Sequence, residues 1–316
     1  MTKDVRVFTY ETRIASDPLT QEVLCAFGKL YGEMERSLFK ELTSKTPHHI
    51  NEIKSHFLNC FGVTARQFNG CQKLLQGKIE SVKECALLRI ADIKERIKHL
   101  KQKIPRIKKA DVRHEKKRSL QKTIDLLHKL EKDQKEGVIS LCFGGKKLFH
   151  AQFNLKENEY DSFDEWKKDW QEVRSSEFYC IGSKDETAGN QTCVLTLSPE
   201  GAGNLHLRLP DFLMEQFGKH LVIPITFPVH GRQEIYKALQ SKQALSYRFK
   251  KDEKGWRVFV SFERERAPTI AKNHTGSIGI DINVNHIALV ETNIHGNLIA
   301  KKSFSLCTYG KSQTQA

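Results

Sequence analysis

The sequence predicts an α+β fold in which a small β-barrel, or a two-sheet sandwich, is interrupted by a helical insertion. Three features predict this class: a strand-like alternation in residues 5–15, a long helical stripe from Leu75, and a series of short strands after Gly137. If the first strand pairs with the later strands, the helices between them are an insertion within one β-domain.

Residues 17–136 are predicted to form the helical insertion. Apolar residues recur at three- and four-residue steps through residues 23–42, and a short helix is expected after Pro47. Both patterns are typical of helices with one buried face.

The longest helix of the insertion is predicted to begin after Thr64, a residue that can cap it. Its apolar stripe spans residues 75–104, which is about 45 Å of helix, and Pro105 ends it. A second stripe begins near Val112. The simplest packing of the two helices is an antiparallel hairpin.

Residues 137–270, together with a first strand in residues 1–16, are predicted to form the β-domain. A tight hairpin is expected at Gly144-Gly145, between ISLCFGG and KKLFHAQFNL, and DSFDEWKKDWQEV is expected to be a short helix. Six further short strands are separated by turn signals. Residues 271–316 are predicted to form a last unit of three strands, GSIGIDINV, NHIALVETN and LIAKKSFSL, the first of them buried.

Composition excludes several classes of protein. The 316 residues contain 52 Lys and Arg against 38 Asp and Glu, a formal net charge of +14. No apolar run approaches the roughly 20 residues of a membrane span, and the first residues lack a signal-peptide core. The eight cysteines never form a C-x-x-C pair, so no zinc ribbon and no disulfide framework are expected. A cytoplasmic protein with reduced thiols is the expectation.

Basic residues are concentrated at positions 101–122, where the two long helices are expected to meet. Ten cations are opposed only by Asp111 and Glu115, so a net +8 of the +14 lies in 22 residues. Such a cluster binds nucleic-acid phosphates with little sequence preference and strong salt dependence. The alternative is a solvated, flexible turn. The ten candidates are Lys101, Lys103, Arg106, Lys108, Lys109, Arg113, Lys116, Lys117, Arg118 and Lys122.

A second candidate surface interleaves aromatic and basic residues at positions 247–259. Aromatic rings between cations can stack on bases while the cations hold phosphate. Strand aromatics more often face a core, however, and this structural interpretation is favoured. The candidate nucleic-acid contacts are Arg248, Lys250 and Arg257, among Tyr247, Phe249, Lys251, Trp256 and Phe259.

Asp281, in the segment SIGIDIN, is the candidate catalytic residue and metal ligand. A carboxylate in an apolar strand is costly to bury unless it is paired or holds a cation. Mg²⁺ prefers one or two carboxylates with water and phosphate oxygens, and many nucleases use two such ions. The alternatives are an exposed aspartate that bonds local backbone beside Asn283, and the first strand of an actin-like phosphate-binding domain.

Several segments along the chain match the pattern of one known family. They are the opening VFTYETRI, the basic helical insertion, the segment FGGKKLF, and IGIDIN followed by HIAL and a Gly296-Asn297 turn. On these segments, over essentially its whole length, the chain resembles the transposon-encoded OrfB/TnpB family of RNA-guided nucleases, relatives of the compact type V CRISPR effectors.

The resemblance implies a wedge-type, OB-like β-barrel with an inserted helical recognition lobe, followed by the first strands of an RNase H-like (RuvC) nuclease domain. It implies guide RNA and target DNA as partners, with sequence specificity carried by base pairing. It also implies Asp281 as the first catalytic aspartate and first Mg²⁺ ligand. The family's second and third carboxylates have no counterpart here, and Glu291 is not expected to replace them.

The expected function is therefore the nucleic-acid-binding, amino-terminal part of a transposon-associated RNA-guided DNA endonuclease, or transposase-like protein, that does not cleave DNA alone. Three strands of about seven residues are also too few for a stable domain without covering helices, which favours a truncated chain. The alternatives are a nuclease-dead RNA-guided repressor and an actin-like phosphotransferase.

Overall fold

The computed structural model describes residues 5–15, 17–44, 49–184, 189–265, 276–283 and 286–306. The chain divides into two units, Val7–Arg264 and Met1–Arg6 with Glu265–Ala316. The predicted boundary between residues 270 and 271, and the tail from residue 307 onward, lie outside the described residues. The α+β class is confirmed, because the described residues form eight α-helices and three antiparallel sheets.

The first strand is followed by four helices, and local capping explains where two of them begin. The Asp17 side chain accepts a hydrogen bond from the Thr20 amide, 2.8 Å away, at the start of the first helix. Thr64 and Gln67 form a reciprocal capping box at the start of the third. The elements are β1 (Val5–Arg13), α1 (Pro18–Leu42), α2 (Ile50–Phe61), α3 (Ala65–Lys103) and α4 (Ala110–Lys135).

Four shorter helices and six strands complete the larger unit. The strands form one sheet of order β1-β7-β6-β2 and another of order β3-β4-β5. Because β1 and β2 are the two edge strands of the first sheet, α1–α4 lie in the connection between opposite edges of one sheet. The elements are α5 (Lys146–Ala151), α6 (Phe163–Val173), β2 (Glu177–Cys180), β3 (Cys193–Leu197), β4 (Ala202–Arg208), α7 (Asp211–Phe217), β5 (His220–Thr226), α8 (Val229–Gln240), β6 (Ser246–Asp252) and β7 (Gly255–Glu265).

The two sheets and α1 share one hydrophobic core. The ring of Phe178 stacks between those of Phe27 and Phe249, with centroid distances of 4.4 and 4.5 Å. Asn190 is fully buried and joins the sheets, since its amide donates to the carbonyl oxygens of Cys180 and Leu245 and its side-chain oxygen accepts two backbone amides. Within the described residues of the larger unit, the strands form two separate sheets, so the predicted closed barrel is wrong.

The tight β-hairpin predicted at Gly144-Gly145 is also wrong. Both glycines have positive φ, 85° and 89°, but the chain after them forms α5. The indole N–H groups of Trp166 and Trp170 donate to backbone carbonyl oxygens on either side of this turn, at 2.7 and 3.1 Å. Packing against α6 therefore replaces the strand pairing that the local sequence predicts.

The smaller unit contains three antiparallel strands in the order β10-β9-β8, in agreement with the predicted strand pattern. The strand that carries Asp281 was predicted to be buried, and this is wrong, because every residue of that strand is exposed. The side chains of Ile278, Ile280 and Ile282 are 69%, 64% and 75% exposed. The strands are β8 (Ser277–Ile282), β9 (His286–Thr292) and β10 (Leu298–Ser305).

Candidate nucleic-acid interface

The α3–α4 hairpin extends from the core of the larger unit as an arm. Helix α3 has 39 residues, which corresponds to about 58 Å. Its first turns contribute Phe68, Cys71 and Leu75 to the main core, whereas no described α3 residue after Ile79 belongs to that core. The distal half of α3 therefore packs on α4.

An apolar seam holds the two helices of the arm together. Ile90, Ile93 and Ile97 are each less than a tenth exposed, whereas the other residues of α3 after Ile79 are half-buried or exposed. An ion pair of 2.8 Å between Lys94 Nζ and Glu131 Oε1 spans the two helices. The seam and the ion pair hold the turn between the helices at the end of the arm.

The ten cations predicted between positions 101 and 122 all lie at this end, called here the hairpin tip. Nine are exposed and Lys116 is half-buried. Within the described part of the chain, none of the ten forms an ion pair. They are Lys101 and Lys103 in the last turn of α3, Arg106 in a 3₁₀ turn, Lys108 and Lys109 in the connection, and Arg113, Lys116, Lys117, Arg118 and Lys122 on α4.

The positive charge of the tip is not explained by helix stability. Cations at the end of α3 complement its dipole, but Lys109 and Arg113 lie at the amino-terminal end of α4, where a cation opposes the dipole. Lys109 occupies the N-cap of α4 without a side-chain capping bond. Residues 123–136, farther along α4, contain three lysines against four acidic residues. The charge is thus confined to the tip and is unfavourable for α4 itself.

Three of the four aromatic residues of the second candidate surface are buried, as the structural interpretation predicts, whereas Phe259 is half-buried on the outer face beside two arginines. The side chains of Tyr247, Phe249 and Trp256 are inaccessible to solvent. Their faces of β6 and β7 point into the core, so they cannot stack on bases.

The cations of that surface lie on the outer face of the sheet, mostly beside carboxylates. Arg248 bonds Glu177, and Arg257 bonds both Asp252 (2.9 Å) and Glu11 (3.4 Å). Lys250 is exposed and forms no ion pair with the described residues. This surface therefore offers less uncompensated positive charge than the hairpin tip.

Asp281 is exposed on the face of the small sheet opposite its isoleucines. Its carboxylate accepts a hydrogen bond of 2.9 Å from the Asn283 side-chain amide. Glu291 lies opposite Ile278 in the register and thus on the other face, so it cannot join Asp281. Among the described residues, no three His, Cys, Asp or Glu side chains come together as a metal site. Asp281 by itself does not provide the ligands for Mg²⁺, and no hydrolytic step follows from these residues.

A buried charge network between α1, α3 and β2 was not predicted. The side chain of Glu35 is 4% exposed, and its carboxylate lies 2.7 Å from Lys78 Nζ, which is also 3.5 Å from Glu177. Burial raises the pKa of the Glu35 carboxyl, and Lys78 opposes that rise. The available signal is the position of Glu35 within the buried stripe of α1, between Tyr31 and Leu38.

Comparisons with known proteins give little further information. No protein-family model matches the chain, and no curated protein matches it. Among solved structures, it is similar to the Cas12i1 R-loop complex before target DNA cleavage, with a TM-score of 0.20 and 10% sequence identity. The match covers 94% of this chain and 34% of that chain, so this chain spans about a third of that protein's length. A TM-score at this level supports no functional argument.

None of the helices in the described ranges is both long enough and apolar enough to span a bilayer.

Proposed function

We propose that this protein binds nucleic acid and that the hairpin tip contacts the phosphate backbone. The observation that carries the proposal is the cluster of ten cations at the end of the arm, unpaired within the described residues. Each cation that neutralises a phosphate releases a condensed counterion, which favours binding at low salt. Contacts of this kind position a nucleic acid without reading its sequence.

Reversing three tip charges is expected to weaken binding and its salt dependence. In Arg113→Glu/Lys117→Glu/Arg118→Glu, the plot of log affinity against log salt should become shallower by roughly one unit for each phosphate that the variant no longer neutralises, up to about three. All three side chains are exposed. Fluorescence anisotropy with labelled duplex DNA and single-stranded RNA from about 50 to 300 mM salt measures both quantities.

The matched control is Lys129→Glu/Lys132→Glu/Lys135→Glu, which reverses the same number of exposed charges on the same helix, away from the tip. The control should keep the wild-type slope. Equal slopes in the wild type and the tip variant would remove the tip from the interface, and salt-insensitive behaviour of the wild type would favour a structural scaffold.

We further propose that the bound nucleic acids are a guide RNA and its target DNA, in an RNA-guided nuclease system of the OrfB/TnpB kind. Support comes from the sequence resemblance and from the cationic arm, which suits a heteroduplex held through its backbone. Asp281 would then supply one carboxylate to a Mg²⁺ site whose other ligands are not among the described residues.

The chain alone is expected to bind matched DNA only in the presence of guide RNA and to leave that DNA uncut with Mg²⁺. The physical reason is that one carboxylate cannot hold two metal ions. Gel-based binding and cleavage assays on co-purified RNA complexes test this expectation. Mg²⁺-dependent cleavage that disappears in Asp281→Ala would contradict it. Nucleotide binding without RNA affinity would favour the actin-like alternative.

A further inference from the structure

A groove between α1 and the end of α6 contains two neighbouring arginines. Arg36 lies on α1, and Arg174 is the residue that caps α6. Lys29 and Ser175 also line the groove. All four belong to the larger unit, and none was predicted as a site residue.

Two glycines of α1 allow the helix to contact the backbone after α6. A Cβ atom at Gly28 would lie 2.4 Å from the carbonyl oxygen of Ser175, and one at Gly32 would lie 2.9 Å from that of Arg174. This approach lets Arg36 Nη1 donate a hydrogen bond of 3.3 Å to the Arg174 carbonyl oxygen. The packed backbone and this hydrogen bond therefore place the Arg36 guanidinium at the Arg174 backbone, in the same groove as the Arg174 side chain.

The positive charge of the groove is not neutralised by its acidic neighbours. Neither Arg36 nor Arg174 forms an ion pair within the described residues. Of the two carboxylates in the groove, Glu172 is bound by Lys251, and Glu33 is not within ion-pair distance of Arg36. Burial lowers the pKa of Arg36, and the nearby charge of Arg174 lowers it further.

The guanidinium group of Arg174 is held in place by an aromatic ring, but one of its N–H donors has no hydrogen-bond partner. Its guanidinium lies over the Trp170 ring, 4.3 Å from the centroid, and its Nε is buried without a hydrogen-bond partner. The Ser175 hydroxyl also makes no hydrogen bond to a described residue. The attraction of Glu33 and Glu35 does not offset the desolvation of Arg36 and its repulsion by Arg174, since the pKa of Arg36 is lowered, and an anionic ligand would reduce this cost.

We propose that this groove binds a phosphate group of the nucleic acid, with Arg36 and Arg174 as the charged donors and Ser175 as a hydroxyl donor. The planar fork of a guanidinium matches a phosphate through two parallel hydrogen bonds. The proposal rests on the proposed nucleic-acid function and adds a second contact. Here the donors are held by α1 and α6, whereas the tip cations are solvated.

The test combines Arg36→Gln/Arg174→Gln with the charge-retaining variants Arg36→Lys and Arg174→Lys. The double variant should bind a labelled RNA oligonucleotide at least about tenfold more weakly, with a salt slope shallower by about two units. The lysine variants should also lose affinity, because a lysine lacks the fork. The control Lys219→Gln removes an exposed cation elsewhere and should bind like the wild type.

Melting temperature separates binding from folding. If the pair serves a ligand, the glutamine variants should melt at or above the wild-type temperature, since a like-charge repulsion is removed. A lower melting temperature together with unchanged affinity of the lysine variants would assign the pair a structural role and overturn the proposal. Inorganic phosphate that raises the melting temperature of the wild type, with oligonucleotide affinity equal in all variants, would indicate a site for free phosphate and also overturn it.

The same titrations separate this proposal from the proposed function. If the tip variant loses salt dependence while the groove variants bind like Lys219→Gln, only the groove proposal fails. If the wild-type protein does not bind the oligonucleotide, the proposed function fails, and the groove proposal fails with it.

Discussion

Lys78→Met is expected to lower the free energy of unfolding by about 3–5 kcal/mol at pH 7, because it leaves a buried carboxylate without its cation. The side chain of Glu35 is 4% exposed, and Lys78 is the cation that bonds it. Glu177 would keep its ion pair with Arg248, so Glu35 is the carboxylate that the substitution leaves unpaired. Urea denaturation followed by circular dichroism measures the change.

The loss of unfolding free energy in Lys78→Met should depend on pH. Burial already raises the pKa of Glu35 in the folded protein, and removal of Lys78 should raise that pKa further. A carboxyl with a folded pKa above its unfolded value costs stability as pH rises from the unfolded value through the folded one. The variant should therefore be closest to the wild type near pH 4 and weakest at neutral pH.

Two further variants test this explanation. Lys78→Met/Glu35→Gln should recover most of the missing stability at pH 7, since the unpaired charge is gone. Lys73→Met changes an exposed lysine on the same helix and should alter the unfolding free energy by no more than about 0.5 kcal/mol. If Lys78→Met loses the same unfolding free energy at every pH, Lys78 stabilises the fold by packing and not by pairing with the charge of Glu35.

Gly28→Ala is expected to destabilise the protein by about 1–3 kcal/mol, although alanine is the better helix former. The new methyl group would lie 2.4 Å from the Ser175 carbonyl oxygen and 3.2 Å from the Trp256 ring. Because the closest atom belongs to the backbone, α1 or the Ser175 segment must move. Thermal and urea denaturation measure the cost.

Gly77→Ala provides the matched comparison within another helix. Gly77 is exposed on α3, and no atom lies within 4 Å of an added Cβ. This substitution should stabilise the protein by about 0.5–1 kcal/mol through helix propensity alone. If both glycine variants gain stability, the close contact between α1 and Ser175 does not exist in solution.

Much of the helical architecture could be predicted from local pattern. The stripe of α1, the cap at Thr64 and the stop at Pro105 all depend on neighbours within a turn or two, so the sequence carries them directly. The helices α7 and α8 were not predicted, and the Gly144-Gly145 hairpin was predicted wrongly. At that hairpin, the deciding partners are the indoles of α6, more than 15 residues away.

Some features of the candidate sites could likewise be predicted from the sequence, and others could not. The hairpin tip is visible in the sequence because its cations are close together along the chain and solvated, so composition alone reveals them. The arginine groove and the Glu35–Lys78 pair join residues 138 and 43 positions apart. The local sequence does not show that these side chains meet, although the position of Glu35 in the apolar stripe of α1 indicates that this one residue is buried.

The sequence by itself determined the α+β class, the long basic hairpin and the strand that carries Asp281, because each follows from periodicity or composition over a few turns. Only the tertiary structure decided that the sheets stay open, that α5 replaces the predicted hairpin after Gly144-Gly145, and that Asp281 is exposed. Those outcomes depend on which distant surfaces cover each element, and burial is a property of the packed chain rather than of any segment.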